Sequence, residues 1–146
     1  MNRLALLLVC LSTLLGGCAS VPMTSLDDDA RAKTFTTNPE KSTIYLYRNE
    51  SMGGAIPMTV ALDGKVGGQT GPRTYFMWEV DPGAHEIASN AENVVTLKLN
   101  TDAGKPYFVW QEVKMGLWMA RSALHEVDEE TGRKGVSECK RAQSNF

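Results

Sequence analysis

From Ser42 to Val127, short runs of β-branched and aromatic residues recur at a spacing of roughly ten residues, and each run is closed by Gly, Pro, Asp or Asn. That rhythm is too short for amphipathic helices and predicts an all-β domain, an antiparallel β-sandwich of about seven to eight short strands. In the first run, residues 43–48, Ile44 and Leu46 alternate with Tyr45 and Tyr47, which predicts one buried face and one semi-exposed aromatic face. A glycine-rich turn is expected at Gly53-Gly54. Residues 58–62 run into Asp63-Gly64 and resume at Lys65, the strongest short hairpin signal a sequence offers. Residues 75–80 read as a strand that stops at Asp81-Pro82-Gly83, where Pro82 presets φ and Gly83 tolerates positive φ, and the chain then reverses into His85-Glu86-Ile87-Ala88. Val95, Leu97 and Leu99 alternate with polar neighbours. After a turn at residues 102–106, residues 107–113 predict the most central strand. Residues 123–127 predict a last strand before a turn at Glu130-Thr131-Gly132. Residues 135–145 fit a short amphipathic helix and an edge strand equally well.

Ahead of this body the chain has a different character. Arg3 precedes an apolar run, Leu4 to Leu15, of a length that suits a secretory signal and is too short to span a bilayer. The run ends in Leu15-Gly16-Gly17-Cys18, which resembles the bacterial lipobox. The resemblance implies cleavage between Gly17 and Cys18 and a diacylglyceryl group on the Cys18 thiol. Ala19-Ser20 follow the anchor where, by the sorting rule of Gram-negative lipoproteins, an aspartate would retain the protein at the inner membrane. An outer-membrane, periplasm-facing location is therefore implied. Residues 21–41 hold few large apolar side chains, an Asp27-Asp28-Asp29 cluster and Thr36-Thr37-Asn38-Pro39. The expected organisation is thus a cleaved signal helix over 1–17, an acylated N-terminus and flexible tether over 18–41, and one sandwich domain over 42–146, large enough to bury a core unaided.

Charge and cysteine usage narrow the function classes. The formal net charge is −2, so the basic footprint of a nucleic-acid partner is absent. Of three cysteines, Cys10 leaves with the signal and Cys18 carries lipid, which leaves Cys139 as a thiol that can be buried, modified or paired with a second chain.

The lipobox, Ile44-Tyr45-Leu46-Tyr47-Arg48, Leu62-Asp63-Gly64-Lys65-Val66-Gly67, Tyr75-Phe76, Val80-Asp81-Pro82-Gly83-Ala84-His85 and Gly104-Lys105-Pro106-Tyr107-Phe108-Val109 together resemble a family of small bacterial lipoproteins labelled a domain of unknown function. The Asp-Gly hairpin followed by the V-x-P-G-x-H turn is also similar to PEGA-type surface modules of cell-envelope proteins. Both resemblances imply a β-sandwich at the envelope and bring no catalytic residue.

Catalytic and metal-binding patterns give little. Two histidines, His85 and His125, fall on separate segments, and no G-x-S-x-G, H-E-x-x-H or C-x-x-C motif occurs. His85 follows the Pro-Gly turn and is read as a hydrogen-bonding residue of that turn; His125 alternates with Leu124 and is expected to face solvent or a neighbouring strand. Met77, Met115 and Met119 with either histidine would suit copper(I). Core filling among aromatics accounts for these methionines more simply, so neither a metal nor a cofactor is assigned. Trp78, Trp110 and Trp118 are the candidate binding residues, as an aromatic platform for glycan or peptide. Trp118 leads because Gly116-Leu117-Trp118-Met119 reads as a loop, with Lys114, Arg121 and Arg48 as rim contacts. The expectation is a non-enzymatic lipoprotein, held to the membrane by its N-terminal lipid, that binds or scaffolds an envelope protein or peptidoglycan. A small-ligand or metal-binding module and a hydrolase of envelope polymers are the alternatives.

Overall fold

A computed structural model describes residues 21–51 and 56–146. The signal segment, Gly17, Cys18, Ala19, Ser20 and the Gly53-Gly54 turn lie outside the described residues. The described chain forms nine strands: β1 (Ser42–Arg48), β2 (Met58–Leu62), β3 (Lys65–Thr70), β4 (Thr74–Val80), β5 (Gly83–Asn90), β6 (Val94–Thr101), β7 (Pro106–Met115), β8 (Ala120–Val127) and β9 (Lys140–Arg141). Two helices join them, α1 (Leu26–Ala32) and α2 (Glu129–Ser137).

The strands make two facing sheets, ordered β8-β7-β1-β4-β9 and β3-β2-β5-β6. The β-sandwich expected from the strand rhythm is therefore present, with a difference in pairing. β1 pairs with β7 and β4 with β9 in parallel, so the first sheet is mixed while the second is wholly antiparallel. The parallel β1/β7 pair also puts β1, and not the strand over residues 107–113, at the centre of its sheet. Between the sheets Ile44, Leu46, Phe76, Trp78, Val109 and Leu124 meet Val60, Leu62, Ile87 and Leu99.

The hairpin turn falls where Asp63-Gly64 predicts it. Both residues take positive φ, 51° and 78°, the left-handed pair that matches the twist of the flanking strands. The Asp63 carboxylate then accepts the Glu86 backbone N–H at 2.9 Å, tying the turn to β5.

Two expectations fail on the outer face of the first sheet, for one reason. Tyr45 and Tyr47 are buried, and all seven residues of β1 are inaccessible, because α1 and α2 cover that face. The Glu130-Thr131-Gly132 turn is instead the first part of α2. Asp128 caps the helix by accepting the Thr131 N–H at 2.9 Å, and Gly132 and Gly135 let the helix backbone close onto the sheet. A Cβ on Gly132 would lie 2.1 Å from the Phe108 ring, and one on Gly135 2.1 Å from Tyr47. The segment 135–145 resolves its ambiguity by using both forms, ending α2 and then adding the two-residue β9 beside β4.

The flexible tether also requires correction from Val21 onward. Val21 is buried in the core, Met23 bridges to Ala142, and Ser25 caps α1 by accepting the Asp28 N–H at 3.1 Å. The acidic cluster that reads as solvated tail is the first turn of that helix, where negative charge opposes the helix dipole favourably. Asp29 within it accepts from the Tyr75 hydroxyl at 2.8 Å and from the Arg141 N–H at 2.9 Å. Burial raises the Asp29 pKa, but these bonds and Lys33 outweigh it and hold the carboxyl below its usual range.

Candidate functional site

The three tryptophans that stand out in the sequence occupy three different environments. Trp78 is 2% exposed, stacks on Phe76 with centroids 5.4 Å apart, and donates its indole N–H to Ser144 Oγ at 3.0 Å. The C-terminal tail covers it, since Asn145 N–H bonds to the Gly67 carbonyl at 2.9 Å and Phe146 stacks on the indole at 5.8 Å. Trp110 is half-buried on the outer face, with its N–H on Glu50 Oε1 at 2.9 Å and its ring 5.2 Å from His125. Trp118 is 92% exposed. The structure does not bring them together as a platform, and Trp118 alone is available for contact.

Trp118 sits at the tip of an arm. β7 pairs with β1 only as far as Trp110, and the residues from Gln111 to Met115 run on with β8 as their partner. Of the five strand residues past the last parallel pair, Gln111 and Val113 are still buried, and the exposed part of the arm begins at Lys114. The base of the arm is fixed by a buried chain of polar groups linking both sheets. Thr70 Oγ1 donates to Gln111 Oε1 at 2.6 Å, Gln111 Nε2 donates to Ser89 Oγ at 2.7 Å, and Ser89 and Ser122 hydroxyls lie 2.8 Å apart.

At the tip the exposed side chains are large and apolar: Met115 is 88% exposed, Leu117 84% and Met119 53%. The backbone beneath them is nonetheless fixed. The Glu92 carboxylate, from the β5–β6 tip, accepts the N–H groups of Leu117, Trp118 and Met119 at 3.1, 2.8 and 2.8 Å. Those hydrogen bonds hold the Glu92 pKa below the usual glutamate value. The Glu92 N–H in turn donates to the Ala120 carbonyl at 3.2 Å, and Asn93 makes two bonds to the Ser122 backbone. Gly116 is required by this geometry, since a Cβ there would lie 2.0 Å from the Met119 carbonyl oxygen and 2.7 Å from Glu92 Oε2. Ile56, Val113 and the underside of the loop line an apolar depression of ≈ 270 Å³. Lys114 and Arg121 face each other in register at the neck of the arm, both exposed. Arg48, read as a third rim residue, is fully buried and donates to the Ile56 carbonyl at 3.0 Å.

The titratable residues found by sequence have structural partners. His85 Nδ1 lies 2.7 Å from Asp63 Oδ2 and Nε2 lies 2.8 Å from the Asp81 carbonyl oxygen. Both partners are acceptors, an arrangement that favours the doubly protonated ring. Burial lowers the His85 pKa, but the bonds to Asp63 and Asp81 and their charges outweigh it and raise the value above that of free histidine. His125 Nε2 meets Glu112 Oε2 at 2.8 Å on the neighbouring strand. Burial, with help from Glu138, pushes the Cys139 thiol up to about 12, and its Sγ donates to the Arg48 carbonyl. Met77 packs with the outer-face aromatics while Met115 and Met119 lie on the arm, so the copper-type ligand set does not converge. Met115 and Met119 are not core filling either; they are surface. Among the described residues no group of three or more His, Cys, Asp or Glu is placed to hold a metal ion.

A family model described as "Protein of unknown function (DUF2846)" matches residues 38–123. The chain belongs to this family. The DUF2846 match spans both sheets from just before β1 into β8, and it includes the whole arm and Glu92. An uncharacterized protein of Haemophilus influenzae is 35% identical over 135 residues, covering 90% of this chain and 80% of its own. No solved structure matches.

Sequence reasoning finds Trp118 and the Gly116–Met119 loop but misses Glu92. Nothing local to Ala91-Glu92-Asn93 signals that its carboxylate serves a loop 25 residues further along the chain.

Proposed function

We propose that this DUF2846 chain is a lipid-anchored, periplasm-facing lipoprotein of the outer membrane, non-enzymatic, which binds or scaffolds another envelope component, protein or peptidoglycan, through the tip of the β7–β8 arm. The observation that carries this reading is the pairing of a fixed backbone with exposed apolar side chains at Met115–Met119. An exposed apolar cluster on a loop costs solubility, and a loop held by a carboxylate and a close-fitting glycine is built for a contact surface. The lipobox ending at Cys18 supports the anchor, and the similarity of the Asp-Gly hairpin and Pro-Gly turn to envelope β-modules supports the compartment. The non-enzymatic part is supported by His85 being engaged by Asp63 at the far end of the sandwich, His125 by Glu112 at the base of the arm, and by Cys139 being buried.

A Cys18→Ser variant should leave the membrane fraction; retention there would reject the anchor. Solubilised envelopes and purified sacculi, each probed with the intact chain and with Trp118→Ala, test the contact surface. Loss of capture in the variant supports the assignment. Failure of both to capture the intact chain, together with hydrolysis of a glycan or ester substrate by it, would replace this reading with an enzymatic one.

A further inference from the structure

We infer that the envelope component met by the Met115–Met119 tip is the phospholipid leaflet itself, an anionic one, into which the loop sets its apolar side chains at the headgroup boundary. This rests on the anchored-lipoprotein reading and goes beyond it, naming a lipid surface as the occupant of the tip where that reading names protein or peptidoglycan.

The shape and chemistry of the tip select a bilayer over a folded partner. The tip is a run of exposed side chains from Met115 to Met119 beside the β5–β6 turn, and the apolar depression of ≈ 270 Å³ beneath the loop is open to solvent. Met115, Leu117, Trp118 and Met119 are all exposed within five residues, and a Trp ring, apolar in body and polar at one edge, is suited to the interface between headgroups and acyl chains. A backbone entering that boundary must already have its polar groups satisfied, because hydrocarbon offers none in exchange. Here the three tip N–H groups are taken by Glu92 from within the molecule, which leaves them no donor role toward a peptide or glycan.

Charge at the neck is complementary to the same occupant. Lys114 and Arg121 are cross-strand partners immediately below Met115 and Ala120, so their ammonium and guanidinium groups stand behind the apolar tip, where anionic headgroups would lie. Two carboxylates offset these cations in part: Glu92 keeps its charge beneath the loop while accepting its three N–H groups, and Glu112, a step further from the tip, lies 3.4 Å from Lys114 and 2.8 Å from His125.

Position adds an independent argument. Thr74 pairs with Arg48, the last residue of β1, so the Gly71–Thr74 turn belongs to the end of the sandwich from which the arm projects. Val21 packs against Gly71 at that end, 3.6 Å from where a Cβ would stand. Only Ala19 and Ser20 separate Val21 from Cys18, a reach of at most about 11 Å. A body so closely tied cannot stand far from the leaflet, and among the described residues the largest run of exposed apolar side chains, Met115, Leu117, Trp118 and Met119, is at the tied end.

The test uses the processed chain, residues 18–146, carrying Cys18→Ser, so that any membrane affinity comes from the body. Sedimentation is measured with vesicles of phosphatidylcholine alone and of phosphatidylcholine with phosphatidylglycerol, with tryptophan emission as a second readout. The expected result is partition onto the anionic vesicles with a blue shift in emission, weaker by at least about tenfold in Trp118→Ala, the loss of one interfacial Trp. The blue shift should vanish in that variant, and partition should weaken in Lys114→Glu/Arg121→Glu and with added salt. Absence of partition by a chain with native circular dichroism, or equal partition by Trp118→Ala, overturns the inference. Trp118-dependent capture by sacculi or by an envelope protein with no vesicle binding overturns it in favour of that partner. The anchor reading fails separately, if the mass of the chain recovered from cells shows an unacylated amino end.

Discussion

The two ends of the sandwich use the same device and present opposite surfaces. At one end the Asp63 carboxylate fixes a turn by accepting a backbone N–H and a histidine; at the other the Glu92 carboxylate fixes a loop by accepting three backbone N–H groups. The Asp63 end is finished in polar groups, with His85 closed against Asp81 and a Lys41–Asp81 ion pair at 2.6 Å. On that side of the molecule the returning C-terminal tail also covers Trp78. At the Glu92 end no segment among the described residues returns over Trp118, and the arm runs past the strand that would have shielded it. Exposure at the arm therefore does not come from loose structure. A tryptophan is core or surface here according to whether a chain segment comes back across it.

The comparison is broken most forcefully at the covered tryptophan. Trp78→Ala removes a buried indole, its stacking on Phe76 and Phe146 and its bond to Ser144, and should cost about 4 kcal/mol in denaturant unfolding. A cost below about 1 kcal/mol would mean the tail does not seal that end. Next in size is the polar chain under the arm: Gln111→Ala removes one buried partner each from Thr70 and Ser89, leaves a cavity between the sheets, and should cost about 2 kcal/mol. Equal stability of Gln111→Ala and the parent would show that water replaces it and that the arm has no rigid base.

The pH dependence sharpens the Asp63 end. The His85 pKa is raised in the folded chain, so its stabilisation is complete below the free value of 6.5 and is lost as pH rises through the higher folded value. Tm should fall as pH rises above 6.5 through the folded value, and that slope should be missing in His85→Gln. Asp63 titrates on the other side: its lowered pKa contributes stability above 3.8 that is lost as the medium is acidified. A parent whose Tm is flat across neutral pH contradicts the doubly bonded imidazolium.

The smallest stability effects are expected at the arm, where the functional ones are largest. Gly116→Ala should expose the amides of Leu117, Trp118 and Met119 to rapid hydrogen exchange while protection in β1 and β4 is retained. Uniform loss of protection would place the glycine in the fold and not in the loop. Trp118→Ala should change unfolding by less than about 0.5 kcal/mol, as a side chain with nothing over it, while envelope capture falls.

Much of the sheet structure is legible in the chain because strands and tight turns are local codes. The Asp63-Gly64 hairpin and the break at Asp81-Pro82-Gly83 depend on φ preferences of the residues themselves, and alternation in residues 95–99 reports one wet face. The helical layer is not legible in the same way. Asp27-Asp28-Asp29 and Glu130-Thr131-Gly132 look like solvated chain and turn, because what makes them helical is a surface to lie on: Tyr75 and Arg141 for the first, Phe108 and Tyr47 for the second. A seven-residue helix and a helix with two glycines in nine residues have little propensity of their own.

By itself, then, the sequence determined the class of fold, the main turns, and Trp118 as the residue to watch, since each is encoded within a few neighbouring residues. Tertiary structure alone decided the parallel β1/β7 pair, the burial of Tyr45, Tyr47 and Arg48, and the separation of three similar tryptophans into core, half-buried and fully exposed. It also decided that Glu92 serves the arm. These outcomes depend on which segments return to cover or to bond one another, and the free energy of such contacts belongs to pairs of residues far apart in the chain.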